Sequence, residues 1–208
     1  MGTMNFEFAR NYALHRLEQE LSPNLFYHGV SHTRDDVVPA VERLAGMEGV
    51  HGDSLTLLLT AAWFHDLGYV EQARHHELIS ARIAVQELPG FGYTRKQVEI
   101  VRWAILATAL PQSPQNLLEE ILTDADLDVL GRDDFMLSND RLRRELFTFG
   151  QKFSDLEWYT RQLKFVESHS YFTASSHALR DVRQQANIQA LKKILDEMHT
   201  RQEKETPS

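Results

Sequence analysis

One segment of the 208-residue chain, from Ser54 to about Leu67, is apolar on nearly every side. A helix with that pattern has to be covered all round by other elements, so the segment predicts a central, buried helix. No segment of the chain shows the sustained two-residue alternation, rich in β-branched residues, that is typical of strands. We therefore predict an all-α fold, arranged as an orthogonal multi-helix bundle.

Capping signals and prolines predict where the other helices begin and end. Thr94 to Gln97 and Ser154 to Glu157 have the spacing of capping boxes, and Ser113 is followed by a proline suited to a first helical position. Pro39 interrupts the pattern from residue 31 to 46, so we expect a kink there or a later helix start. The predicted helices cover about 5–21, 31–46, 54–67, 75–88, 94–110, 113–130, 132–150, 154–169 and 173–204.

The composition excludes several classes of function. With 22 basic and 30 acidic side chains the formal net charge is −8, which disfavours nucleic acids and anionic membranes as partners. The absence of cysteine excludes thiolate nucleophiles, zinc fingers and iron–sulfur sites. The longest near-apolar run, Leu55 to Phe64, is too short to cross a bilayer, and MGTMNFEFAR lacks a signal-peptide pattern. We expect a cytoplasmic protein with one helical domain over residues 1–208.

Three clusters carry residue types that bind metals. His28 and His32 are spaced to share one face of a helix, His65 and Asp66 end the most apolar helix, and the acidic segment DADLD begins at Asp124. Each cluster has an ordinary alternative: the histidines could be a loop residue and a helix-start residue, the His-Asp pair is a common dipeptide, and the acidic trio could be solvated. The conjunction of all three, in this order, favours a site.

The pair His65-Asp66 constrains the chemistry of that site. An ionised carboxylate at the end of a buried helix needs a compensating partner, because its desolvation is costly. Adjacent helical residues diverge by about 100°, which suits two neighbouring ligands of an octahedral ion. One more His and one more Asp from other helices would give two nitrogens and two oxygens. Such a set suits Mn, Fe, Ni, Mg or Zn, so we predict one divalent ion of unspecified identity.

Four strings spread over about residues 27–135 resemble a known family, the HD-domain metal-dependent phosphohydrolases: YHGVSHT, AAWFHDLGY, HHELISARIA and LTDADLDVLGRDDF. The resemblance implies an HD core of about residues 24–135 with a C-terminal helical extension of about 136–204. It implies that the ion is held by His32, His65, Asp66 and Asp126, and that it activates a water for attack on phosphorus. The segment FVESHSYFT is similar to the C-terminal part of a less characterised branch of predicted HD phosphohydrolases.

The resemblance also implies roles for residues around the ion. His28 and His76 are candidates for the general acid, with His75 competing with His76, and Asp124 would orient a ligand or a water. Because one divalent cation and two aspartates nearly cancel in charge, a phosphate needs further cationic groups. The candidates for substrate binding are Arg132, Lys164, Arg180 and His169. Each of these side chains could instead be an ordinary surface, capping or solvated residue.

Two departures from the family pattern narrow the prediction. The stretch from Ala107 to Pro114 has no histidine, which argues against a second metal. Tyr69 follows Asp66 at the position where the nucleotidase branch often has a glutamate, which argues against that branch. We expect a small phosphorylated substrate, nucleotide-like in character. A non-catalytic module that binds metal and nucleotide is the main alternative, and oxygen chemistry at a di-iron site would need more histidines.

Overall fold

The structure is a computed structural model that describes residues 3–205, and no β-strand occurs in that range. The prediction of an all-α fold is therefore confirmed, while residues 1–2 and 206–208 of the predicted domain lie outside the described range. The helices are α1 Phe6–Glu20, α2 Val38–Met47, α3 Gly52–Phe64, α4 His76–Glu87, α5 Arg95–Ala107, α6 Leu117–Asp126, α7 Phe135–Thr148, α8 Asp155–Ser168 and α9 Ala174–Glu205.

Helix α3 lies at the centre, as its all-round apolar pattern predicts. Its buried residues pack in one large apolar cluster with residues of α1, α2, α4, α5 and α6. A second, smaller cluster joins the last three helices to the segment before them; it consists of Leu130, Phe135, Val166, Ile188 and Leu191. Within residues 3–205, no helix combines the length and the apolarity that a bilayer crossing requires.

The interruption predicted at Pro39 takes the form of a widened helical turn. Residues His32–Val37 form a π-helical segment that runs directly into α2, and Pro39 lies in the first turn of that helix. A proline has no N–H to donate, so it is tolerated in the first helical turn, and π-helical turns often occur at functional sites. The widened turn begins with His32, one of the predicted metal ligands.

Of the three helix starts predicted from capping signals, two are confirmed and one is wrong. Thr94 and Ser154 form complete capping boxes at the starts of α5 and α8. Helix α6 begins at Leu117 instead of after Ser113, because the side chain of Asn116 accepts hydrogen bonds from the backbone N–H groups of Leu118 and Glu119. Helix α6 also ends at Asp126 rather than near residue 130, and a short 3-10 helix, Asp128–Gly131, follows it.

The long helix α9 packs against that 3-10 helix through a close backbone approach. A Cβ on Gly131 would lie 2.5 Å from the Cβ of Arg180 and 2.7 Å from its carbonyl oxygen, so only glycine fits there. Asn187 of α9 donates hydrogen bonds to the carbonyl oxygens of Leu130 and Arg132. These contacts fix α9 against the end of α6, next to Asp126.

Candidate metal centre and cavity

Three side chains from two separate regions of the chain bring metal-ligand atoms together. His32, His65 and Asp66 are buried and form a group that could hold a metal ion. Asp66 Oδ2 lies 3.7 Å from His32 Nε2 and 3.5 Å from His65 Nε2. Donor atoms that share one ion at about 2.1 Å lie roughly 3.0–3.4 Å apart, so these spacings are close to those of a ligand set.

The hydrogen bonds of His65 leave its other ring nitrogen available to an ion. Its Nδ1 donates to the carbonyl oxygen of Ala62 at 2.7 Å, one turn back in α3. Such a bond fixes the orientation of a ligating imidazole and directs Nε2 towards the metal. His65 Nε2 and Asp66 Oδ2 are buried, and neither has a hydrogen-bond partner among the described residues. Uncompensated buried atoms of these two types fit a divalent ion as the missing partner.

Asp126, the last residue of α6, lies at the same point. Its Oδ1 is 3.2 Å from His32 Nε2 and 3.5 Å from His65 Nε2. Burial by itself would lower the pKa of His65, but the carboxylates of Asp66 and Asp126 outweigh burial and raise that pKa to about 9. Burial likewise acts to raise the pKa of the Asp126 carboxyl, and the two histidines nevertheless hold it well below its usual range. The cluster therefore attracts positive charge strongly.

Of the two neighbouring histidines at the start of α4, only His76 lies beside the cluster. Its Nε2 is 3.2 Å from Asp66 Oδ1, and its Nδ1 donates to the carbonyl oxygen of Ala73. Burial would lower the pKa of His76, but the hydrogen bond and charge of Asp66 raise it. His75 is exposed and has a left-handed backbone with φ 58°. Of these two candidates for the general acid, the position beside the cluster therefore favours His76.

His28 is bound by a carboxylate from the C-terminal part of the chain. Its Nδ1 donates to Glu145 Oε1 at 2.6 Å, while the backbone N–H groups of Tyr27 and His28 donate to Oε2 of the same carboxylate. Burial would raise the pKa of Glu145, but the hydrogen bonds and charge of His28 and these two N–H groups lower it. Glu145 thus stays ionised and fixes the ring of His28.

Two tyrosines complete the surroundings of these histidines. The ring of Tyr69 stacks on His28 with centroids 4.5 Å apart and lies 4.2 Å from the ring of His76. The ring of Tyr27 lies 5.0 Å from that of His32. Burial and the charge of Asp126 raise the pKa of Tyr27, and burial and the charge of Asp66 raise that of Tyr69, so both phenols stay protonated. The two tyrosines therefore pack against the histidines without adding negative charge to the site.

The cluster opens into a cavity of about 400 Å³. The metal-centre end of the cavity has Asp66, His76, Asp126 and His28 in its wall, and much of the remaining wall is apolar. Helices α7 and α8 supply part of that wall; the polar residues they contribute are Ser138, Asn139, Arg161 and Gln162. A volume of this size is within the range of sites for small organic ligands, about 300–1,000 Å³.

Asp124 does not face the metal cluster, in contrast to its predicted role. Its carboxylate accepts hydrogen bonds from the backbone N–H groups of Phe172 and Thr173 and from the hydroxyl of Thr173. Asp124 and Asp126 are two residues apart on a helix and therefore point in different directions. These hydrogen bonds anchor the start of α9, and the role predicted for Asp124, to orient a ligand or a water, stays a prediction.

The three cations predicted to bind phosphate lie away from the cavity wall. Arg132 pairs with Asp36 and Asp134, and Arg180 makes two hydrogen bonds to Asp128. Lys164 is exposed on α8. The two guanidinium groups thus pair with carboxylates and the Lys164 side chain faces solvent, so the structure does not bring these three residues to the cavity.

His169, the fourth predicted substrate-binding residue, also lies outside this cavity. It borders a neighbouring depression beside Leu110 and Phe165, and its ring meets Tyr171 edge to face with centroids 4.8 Å apart. Burial lowers the pKa of His169. A neutral, half-buried imidazole in this position is unsuited to binding an anion by charge.

Three residues of the site were missed from the sequence: Glu145, Asn139 and Arg161. All three belong to α7 or α8, and each sits in a pattern of polar and apolar residues that is ordinary for an amphipathic helix. The nearest signal was the buried polar face of α7, where Ser138, Asn139 and Glu145 are buried together. Recognising that face requires the tertiary contacts.

Comparisons with known proteins support the fold and leave the function open. No protein-family model matches the chain, and no curated protein matches it. A crystal structure of a Lactobacillus plantarum protein, a structural genomics target, is similar with a TM-score of 0.69 and 21% sequence identity. The match covers 94% of this chain and 97% of that chain. The helical arrangement therefore also occurs in a solved structure along nearly its whole length.

Proposed function

We propose that the chain is a metal-dependent phosphohydrolase of the HD type, which cleaves a phosphoester or phosphoanhydride bond of a small, nucleotide-like substrate. The observation that carries the proposal is the convergence of unpartnered, buried ligand atoms beside a ligand-sized cavity whose wall includes Asp66 and Asp126. His65 Nε2 and Asp66 Oδ2 are those atoms, and His32 and Asp126 lie within hydrogen-bonding or near-contact distance of them.

The residues present fit one divalent ion. His32, His65, Asp66 and Asp126 would hold it through two imidazole nitrogens and two carboxylate oxygens, a set compatible with Mn, Fe, Ni, Mg or Zn. When bound, such an ion neutralises charge on a phosphate oxygen and lowers the pKa of a water molecule. A buried carboxylate oxygen without a hydrogen-bond partner, such as Asp66 Oδ2, is otherwise an unfavourable arrangement.

One group beside the cluster is placed to give a proton to the leaving oxygen during hydrolysis. As the bond from the water oxygen to phosphorus forms, the bond from phosphorus to the leaving oxygen breaks, and that oxygen needs a proton. His28 lines the cavity, and because Glu145 binds its Nδ1, its Nε2 is the nitrogen that gives this proton. His76 is less suited, since Asp66 and the carbonyl of Ala73 occupy both of its ring nitrogens.

The cavity also offers a positive group for the substrate's negative charge. Arg161 of α8 is the arginine among the residues of the cavity wall; its guanidinium lies 4.5 Å over the ring of Phe153, which borders an adjoining depression that Arg161 also lines. A guanidinium that is stacked on a ring keeps its N–H groups free at the edge of the plane, where they bind phosphate oxygens. We assign the role predicted for Arg132, Lys164 and Arg180 to Arg161.

Metal content and activity of matched variants test the proposal. We expect wild-type protein to hold about one transition-metal ion per chain by mass spectrometry, and to hydrolyse nucleotides or aryl phosphates once Mn is supplied. Asp66→Ala should lose both the ion and the activity, because it removes a ligand oxygen. Asp196→Ala, on the exposed side of α9, should retain both and serves as the control.

The outcomes separate the proposal from its main alternative. Equal, negligible metal in wild type and Asp66→Ala, after Mn or Fe has been supplied, would contradict the ligand set. Bound metal and bound nucleotide without any product would instead indicate a non-catalytic module that holds both as a signal.

A further inference from the structure

One side chain in the cavity wall is buried with both of its polar atoms unsatisfied. Asn139 of α7 is 3% exposed, and neither its Oδ1 nor its Nδ2 has a hydrogen-bond partner among the described residues. Buried amides in native proteins are nearly always paired, because a desolvated donor or acceptor that stays unpaired is destabilising. An amide left unpaired in the wall of a ligand-sized cavity points to a partner that the protein itself does not supply.

The residues around Asn139 indicate the shape of the ligand that would pair with it. Phe135, Asn139 and Leu142 recur at the spacing of one helical face on α7, and Phe165 faces the same cavity from α8. The amide is therefore one of the few polar groups in a wall of two helices that also has Phe135, Leu142 and Phe165. Sites of this kind bind the faces of a flat ring through apolar side chains and fix its orientation through a few polar groups.

The chemistry of the amide indicates which hydrogen-bonding groups the ligand presents to it. A carboxamide places an acceptor oxygen and a donor NH₂ side by side, so it pairs best with an edge that has a donor next to an acceptor. Each nucleobase has such an edge: adenine has an amino group beside a ring nitrogen, for example, and asparagine and glutamine bind adenine in this manner elsewhere. Because the amide can rotate by half a turn, it accepts either order of donor and acceptor.

We propose that Asn139 binds the base of the substrate by a paired hydrogen bond, while the metal cluster binds the phosphate. This inference rests on the proposed function for the phosphate end, but the base subsite itself is defined by α7 and α8. The C-terminal helices then determine which substrates are accepted. A phosphorylated compound without a base leaves the amide unpaired and loses this contribution, as sites with buried polar groups discriminate strongly against substrates that lack the partner.

The test compares substrates with and without a base in two variants. Asn139→Leu removes the paired donor and acceptor while keeping a side chain of the same branched shape, and Asp140→Leu changes the next, exposed residue of the same helix. The substrates are a panel of nucleoside mono-, di- and triphosphates, with ribose 5-phosphate and inorganic tripolyphosphate as base-free counterparts. We expect wild type to prefer at least one nucleotide by tenfold or more in kcat/KM, and Asp140→Leu to keep that preference.

Asn139→Leu should lose the preference for the nucleotide mainly through a higher KM for that nucleotide, since the remaining apolar contacts with the base are not specific. A tenfold preference that persists in Asn139→Leu would overturn the inference, and so would a wild-type protein without any preference. In either case hydrolysis of base-free phosphates would leave the proposed function standing.

Thermal unfolding gives a readout that does not depend on turnover. A nucleoside monophosphate should raise the Tm of wild type more than ribose 5-phosphate does, and this difference should vanish in Asn139→Leu. If no compound is hydrolysed but this pattern appears, the proposed function fails and the base subsite stands. If both compounds raise the Tm of both proteins equally, the base subsite is wrong.

Discussion

Glu145 acts on the site without belonging to the metal cluster. One of its oxygens binds the ring of His28, and the other binds two consecutive backbone N–H groups, so the carboxylate fixes both the ring and its attachment to the chain. A general acid needs this kind of fixed orientation, because proton transfer depends on the distance and angle to the leaving oxygen. Glu145 is therefore a positioning residue in the proposed mechanism.

Replacing this carboxylate by an amide tests that role. Glu145→Gln keeps the size of the side chain but removes the charge that binds the Nδ1–H group of His28. We expect kcat to fall by about 10- to 100-fold, within the range that general acid catalysis contributes, with unchanged metal content. Glu167→Gln, an exposed glutamate paired with Lys192 on the surface, should leave kcat unchanged. An unaltered kcat in Glu145→Gln would contradict the assignment of His28 as the acid.

Asp124 and Asp126 are close in sequence but have separate tasks. Asp126 lies at the metal cluster, whereas the Asp124 carboxylate is fully buried and binds two backbone N–H groups and a hydroxyl at the start of α9. From the sequence alone, either aspartate was compatible with a place beside the ion. The hydrogen bonds assign Asp124 to the structure of the C-terminal helix.

We expect Asp124→Asn to destabilise the fold and to leave the metal content unchanged. The amide presents an NH₂ group to backbone donors, which should lower the free energy of unfolding by about 2–4 kcal/mol, as for lost hydrogen bonds to a buried charge. Asp133→Asn, which weakens an exposed pair with Arg183, should change it by less than about 1 kcal/mol. Denaturant unfolding and metal analysis check this. Loss of metal at unchanged stability would instead support the prediction that Asp124 orients a ligand or a water.

At the scale of elements, helix starts made by capping boxes could be predicted from the sequence, whereas pairs of residues far apart in the chain could not. Thr94 and Ser154 begin helices as predicted, because each capping box is made by residues within one turn. The start at Asn116 was missed, since Ser113-Pro114 has an equally valid local pattern. The roles of Arg132 and Arg180 were missed for a different reason. Arg132 pairs with Asp36 and Arg180 pairs with Asp128, and sequence spacing does not reveal such distant contacts.

The metal-centre residues were more predictable than the rest of the cavity. His32, His65, Asp66 and Asp126 come from three helix ends, and they stand out because histidine and aspartate are uncommon inside an apolar core. Their proximity in the structure agrees with the predicted cluster, whereas ligation of a metal stays a prediction. Asn139 and Arg161 look like ordinary polar positions of amphipathic helices, so their place in the cavity became visible only through packing.

The contact between Gly131 and α9 controls how the C-terminal helices meet the metal-centre side of the bundle. Gly131→Ala adds a Cβ that would lie 2.5 Å from the Cβ of Arg180, so the helix has to move away. We expect a loss of about 1–3 kcal/mol in the free energy of unfolding, as for overpacked cores. Circular dichroism during urea unfolding measures it.

Gly46→Ala is the matched control, because Gly46 lies in α2 with open space around its Cβ position. It should be neutral or stabilise the protein by up to about 1 kcal/mol, since alanine is the better helix former. Equal stability of the two variants would contradict the close approach of α9.

At the scale of the whole molecule, the metal cluster links parts of the chain that are far apart in sequence. His32 begins the π-helical segment before α2, His65 and Asp66 follow α3, and Asp126 ends α6. His65 Nε2 and Asp66 Oδ2 are buried without a hydrogen-bond partner among the described residues, and a cation bound beside them would supply that partner. An ion that binds only the folded chain shifts the unfolding equilibrium by mass action.

We therefore expect the stability of the protein to depend on the metal. At a free concentration of one hundred times Kd, binding adds about 2.7 kcal/mol, and one kcal/mol corresponds to roughly 2–4 °C in Tm for a chain of this length. Mn should then raise the Tm by about 5–10 °C, and a chelator should reverse the change. Asp66→Ala should unfold at a Tm that responds to neither, while Asp196→Ala should respond as wild type does. A response that persists in Asp66→Ala would show that the stabilising ion binds elsewhere, and the cluster would lose its assigned ligand role.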